Sequence, residues 1–127
     1  MRGFNLPALV ALRAHSGPAF AKREAKVGDR LTVSAKVENT SAEPAPVTLH
    51  VEGLHTGAVR APVDHDFAFE PASAVAPPKT RKVLEFAWVA TLPEGKDAFT
   101  FRGKLVLRSM ADMKVVGESP LDLYVRR

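Results

Sequence analysis

From Arg30 to Glu38 the chain alternates without a slip: Leu31, Val33, Ala35 and Val37 stand against Thr32, Ser34, Lys36 and Glu38. A period of two places successive side chains on opposite faces of an extended chain, so this segment has one buried and one wetted face. The pattern returns at Val47, Leu49 and Val51 against Thr48, His50 and Glu52. It returns again at Leu84, Phe86, Trp88 and Ala90, at Phe99, Phe101, Leu105 and Leu107, and at Leu121, Leu123 and Val125. No segment sustains a helical period, and β-branched residues are frequent where alternation is strongest. The breaks between these segments are turn chemistry. "NTSAEPAP" carries two prolines that cannot donate to a ladder, and "SMADMK" separates the last two alternating runs. Such a chain is expected to fold as antiparallel sheet, packed on a second sheet or closed on itself.

The 127 residues suffice for one domain with a single two-layer core. The fold class expected is all-β: an antiparallel Ig-like β-sandwich of about seven strands, with residues 27–127 as the sandwich. Residues 1–26 form an N-terminal arm or an extra edge strand. A small barrel is the alternative closure. Between Gly53 and Lys82 the prolines leave room only for short strands, or for extended chain crossing the end of the sandwich. Apolar patches there fall at Val59–Val63 and Phe67–Phe69.

The segment "MRGFNLPALVAL" has an early arginine and a short apolar run, and "AFA" at 19–21 has the form of a cleavage site. Pro7 breaks that run, however, and Arg13 and His15 stand where apolar residues should continue. Residues 1–26 are therefore read as part of the mature chain. No run of roughly 18 apolar residues occurs, so no membrane-spanning helix is expected.

Beyond fold, the segments "VGDRLTVSAKVENTSAEPAPVTLHVEG" and "FEPASAVAPPKTRKVLEFAWVATLPEGKDAFTFRGKLVLRS" resemble the Ig-like domains of the cell-adhesion-related (CARDB-like) and NEW3-like groups. The positions that carry this are Asn39-Thr40, then Pro71, Ser73, Val75, Pro78 and Arg81, then Leu92-Pro93-Glu94-Gly95 and Phe99. The resemblance covers about residues 27–125. It implies a non-catalytic spacer or binding module, a type common in surface proteins and also met in accessory and decoration proteins of phage particles.

The residues themselves offer no catalytic set. There is no G-x-S-x-G, no H-E-x-x-H and no phosphate-cradling glycine loop. Cysteine is absent, which excludes disulfides, thiolate metal sites and cysteine nucleophiles. His50, His55 and His65, with "DHD" at 64–66, hold metal-ligand chemistry, as do Met110 and Met113 as soft donors. Nothing in their spacing demands convergence, so no metal site and no cofactor is expected. A periplasmic metal carrier is the third-ranked function.

The formal charge is +4, from 18 basic and 14 acidic residues. Arg102, Lys104 and Arg108 share the outer face of one expected strand as a positive stripe. Of the aromatic residues for base stacking only Tyr124 falls on the outer phase, since Phe86, Trp88, Phe99 and Phe101 occupy the apolar phase. A protein partner is expected rather than nucleic acid.

The function expected is therefore a non-enzymatic structural or assembly protein. It binds a larger protein surface or its own copies, as a virion decoration or stabilising protein does. The alternative is a secreted or cell-surface binding module. The expected contacts are Leu6, Leu9, Val10, Leu12 and Phe20 buried against a neighbour, with Arg102, Lys104 and Arg108 on the sheet face. Each leucine-sized side chain so buried contributes about 1.5–3 kcal/mol. The competing expectation is that the same apolar residues build the first strand of this domain's own sandwich.

Overall fold

The computed structural model describes residues 12–55 and 65–127. Among them the chain forms β1 (Leu12–Phe20), β2 (Glu24–Lys26), β3 (Arg30–Asn39), β4 (Ala45–His55), β5 (Ser73–Ala76), β6 (Thr80–Val89), β7 (Ala98–Ser109) and β8 (Val115–Arg126). They make two sheets, in the orders β1-β3-β6 and β2-β8-β7-β4-β5. This is the Ig-like sandwich that the alternation calls for. Every ladder is antiparallel except one: Glu24–Lys26 runs parallel to Tyr124–Arg126.

The period-two residues fill the space between the sheets. Leu31, Val33, Ala35 and Val37 of β3 face Val47 and Leu49 of β4, with Leu84, Phe86 and Trp88 of β6 beside them. Phe101, Leu105, Leu107, Leu121, Leu123 and Val125 complete the core, all of them buried. Two residues depart from their phase: Ala87, on the outer face of β6, is 8% exposed where Glu70 pairs with it, and Val106 is the other. Val106 belongs to the outer face of β7, yet only 2% of it is exposed. His50 and Glu118 stand opposite it on the neighbouring strands, and Lys104 and Arg108 flank it along its own. Long polar side chains cover apolar surface in this way while their heads stay in water.

In the proline-punctuated middle, residues 56–64, with the whole Val59–Val63 patch, lie outside the described residues. Residues 65–70 return beside β6, where Glu70 and Ala87 exchange two backbone bonds of 2.9 and 2.8 Å. Phe69 is buried and Phe67 half-buried. β5 then adds to the edge of β4.

The first described strands use the chain in two ways. β1 pairs with β3, and after a short link β2 pairs with β8 of the other sheet. The register of β1 slips on either side of Ser16, and there the strand crosses closely over β8. A Cβ placed on Gly117 would lie 2.5 Å from the Cβ of Ala14, and one on Gly17 would meet Ser119 and lie 2.8 Å from the carbonyl oxygen of Glu118. Glycine at both positions is what lets the two backbones approach.

At the end of β3, Asn39 is the one buried polar residue among those described, 1% exposed. Its amide donates to the carbonyls of Glu43 (2.8 Å) and Ala76 (3.0 Å), and its oxygen accepts from the Ser41 N–H (3.0 Å) and hydroxyl (2.7 Å). The Asn39-Thr40 pair is thus a pin between the β3–β4 turn and the end of β5. Replacing Asn39 by Ala strands these buried partners, so Asn39→Ala should lower unfolding free energy by roughly 1–3 kcal/mol. The urea midpoint measures this, and Asn39→Asp, which cannot donate, should also be less stable than the parent.

Candidate functional site

Leu6, Leu9 and Val10 lie outside the described residues. Leu12 and Phe20 are the first and last residues of β1, half-buried and packed on the sandwich's own core. The Phe20 ring lies 6.1 Å from Trp88 and 6.5 Å from Phe69.

Arg102, Lys104 and Arg108 do share the outer face of β7, but each has an acidic partner. Arg102 stands 3.7 Å from Asp122 and Lys104 stands 3.6 Å from Glu118. Arg108 grips Glu52 with two bonds of 2.8 and 3.0 Å and donates a third, of 2.7 Å, to the carbonyl of Met113. The Arg108 hydrogen bonds hold the Glu52 carboxyl below its usual range, against the opposing effect of burial. The stripe that reads as positive in sequence is neutralised strand by strand, because cross-strand neighbours come from β4 and β8.

A second charged group centres on Glu38, on the outer face of the other sheet. The His15 ring donates to it at 2.6 Å, since a carboxylate only accepts, and Arg81 and Arg13 stand 3.6 and 3.8 Å away. The His15 hydrogen bond lowers the Glu38 pKa, with further help from Arg81 and Arg13.

The histidines weighed as ligands have separate surroundings. His50 shares a 2.7 Å hydrogen bond with Thr48, and His55 donates to the carbonyl of Gly53 at 2.8 Å. His65 sits among aromatic rings, 4.8 Å from Phe101, 5.2 Å from Phe67 and 6.3 Å from Trp88, and shares a hydrogen bond with Thr91. Among the described residues no three His, Cys, Asp or Glu side chains converge on a point where a metal could bind. Met110 and Met113 are both half-exposed in the β7–β8 turn.

What the geometry offers is an edge. β6 is the outer strand of its sheet. Ala87 exchanges bonds with Glu70 on the side away from β3, and Ala90 bonds back to Gly28 and Asp29 on the β3 side. Backbone groups alternate sides along a strand, so the N–H and C=O of Arg81, Val83 and Glu85 also point away from β3. Among the described residues no backbone group meets them. Val83 and Val89, on this strand's outer face, are 50% and 47% exposed. The alternation of the sequence sets Val83 and Glu85 on the face of this strand opposite Leu84, Phe86 and Trp88. The sequence carried no sign that β6 would be terminal in its sheet, beyond the charged "RK" pair that edge strands favour.

No family model and no curated protein matches the chain. Among solved structures it is similar to the Pseudomonas aeruginosa CupB2 chaperone, at 18% identity over 86% of this chain and 54% of that one, with a TM-score of 0.42. It is also similar to the E. coli chaperone DraB, at 15% identity over 87% and 55%, TM-score 0.47. A third is the ASH/PapD-like domain of human CEP192, at 11% identity over 99% and 91%, TM-score 0.47. The chain spans about half the length of the two chaperones. These likenesses concern fold alone, which the ladders above establish independently.

Burial among the aromatic rings pushes the His65 pKa below its ordinary 6.5, partly offset by Asp66. The unfolded chain therefore takes up this proton first, and the stability linked to His65 is complete above about pH 6.5 and is lost as pH falls below it. The urea midpoint should be lower at pH 5.5 than at pH 7.5, and in His65→Phe that difference should shrink.

Proposed function

We propose that this protein is a non-catalytic binding module of a protein assembly and that it joins its partner through a sheet edge. The observation that carries this is the run of outward-facing backbone groups at Arg81, Val83 and Glu85 beside the exposed Val83. An unpaired strand of this kind accepts an added strand, with main-chain bonds supplying affinity and alternate side chains supplying choice of partner. The self-paired charges of the β7 face support the same view, since a neutralised face exerts little attraction on nucleic acid.

A virion decoration or stabilising protein works by such joining, and so does a binding module of a secreted or cell-surface protein. The resemblance to CARDB-like and NEW3-like domains agrees with both settings. Leu6, Leu9 and Val10 would add apolar contacts to a neighbour in either.

The test is a photo-crosslinking residue at position 83 in the cells that make the protein, with position 104 on the opposite sheet face as control. Adducts with one defined protein at position 83, and not at 104, are expected. Equal labelling at both positions, or none at either, would defeat the reading.

A further inference from the structure

The open part of the β6 edge has a symmetry of its own. Beyond Phe86 the edge is taken by Glu70 at Ala87, and the strand begins at Thr80. The stretch left open among the described residues runs from Thr80 to Phe86, and Val83 is its midpoint. Three residues in it, Arg81, Val83 and Glu85, direct both backbone groups outward, and their side chains share the outer face. Arg81 and Glu85 are equally spaced about Val83 and carry opposite charges.

We infer that the partner of this edge is a second copy of the chain, added antiparallel about a two-fold axis at Val83. The inference rests on the edge-joining reading above and names its occupant. In this register Val83 meets Val83 of the other copy, and Arg81 of each copy meets Glu85 of the other. All three positions fall at hydrogen-bonded pairs, each exchanging two backbone bonds. Opposite charges directly across a ladder stabilise it, and so does the valine pair. Glu85 has no ion-pair partner among the described residues, whereas Arg81 is only loosely held, 3.6 Å from Glu38. A slide of the register by two residues moves the axis to Leu84 or Lys82 and sets Val83 against Glu85 or Arg81; a slide of four, which centres on Glu85 or Arg81, sets that charge against itself. The pairing joins the two three-stranded sheets into one continuous sheet, and a two-fold interface of this kind closes on itself rather than propagating.

Glu70 limits the pairing. The next outward residue in this register, Ala87, would face Lys79 of the other copy, but its backbone groups are already bonded to Glu70. The ladder therefore stops at Arg81 and Glu85 on each side, and the dimer it makes is concentration-dependent.

Sedimentation equilibrium of the intact chain should show a mass rising from 13.7 kDa toward twice that value with concentration. Glu85→Arg places arginines opposite each other at two sites and should weaken dimerisation roughly tenfold or more. The double variant Arg81→Glu with Glu85→Arg restores the opposite charges and should recover dimerisation to near the parent level. Since the chain has no cysteine, Val83→Cys introduces a single thiol. The paired Cα atoms would lie about 5.5 Å apart, within disulfide reach, so mild oxidation should yield a covalent dimer. Lys36→Cys on the central strand should not.

A dimer indifferent to Glu85→Arg would overturn this register, because another surface would then hold it. A monomer in every arm, with Val83→Cys uncrosslinked, would overturn self-pairing altogether. The edge-joining reading would survive that result if position 83 crosslinks to a foreign protein in cells, and would fall with it if no adduct forms.

Discussion

The close passage of β1 over β8 is the contact on which the arrangement of edges depends. A two-sheet sandwich has two open sides, and each side exposes the outer strands of both sheets. On one side the chain closes the gap itself, because Ala14 and Gly17 lie directly against Gly117 and Ser119. The strand then leaves the first sheet and β2 continues on the second, parallel to the end of β8. A side chain at either glycine would force the backbones apart, and the switch from one sheet to the other would lose its pivot.

The other side is closed only in part. Glu70 covers β6 at Ala87, β5 is four residues long, and the start of β6 has no cover among the described residues. The charged groups follow a related division. On the face of the five-stranded sheet, Arg102, Lys104 and Arg108 are matched by Asp122, Glu118 and Glu52. At the β6 edge Glu85 has no ion-pair partner among the described residues, and Val83 beside it is half-exposed. Among the described residues, main-chain hydrogen bonds are thus unmade at this edge, while the charges of the β7 face are matched.

Much of the core was legible in the residues. Alternation in β3, β6, β7 and β8 named most of the buried side chains, because a half-buried strand has a side-chain period of two whatever it packs against, although Phe99 is only half-buried and Ala87 is buried from the other phase. Val106 escaped that rule: its burial depends on His50 and Glu118, which are distant in sequence and adjacent only through the ladders. The Asn39-Thr40 turn was legible as a turn. That its amide reaches Ala76, 37 residues away, was not.

The candidate site divides in the same way. Local sequence determined which residues of β6 face outward and which carry charge, and it determined that no cysteine chemistry or familiar catalytic motif is present. Only the tertiary structure decided that β6 ends its sheet, that the β7 stripe is paired, and that His65 lies against Phe101. Those facts concern which strand lies beside which. Side-chain alternation is a local property of extended backbone, whereas strand order follows from packing between segments far apart in the chain.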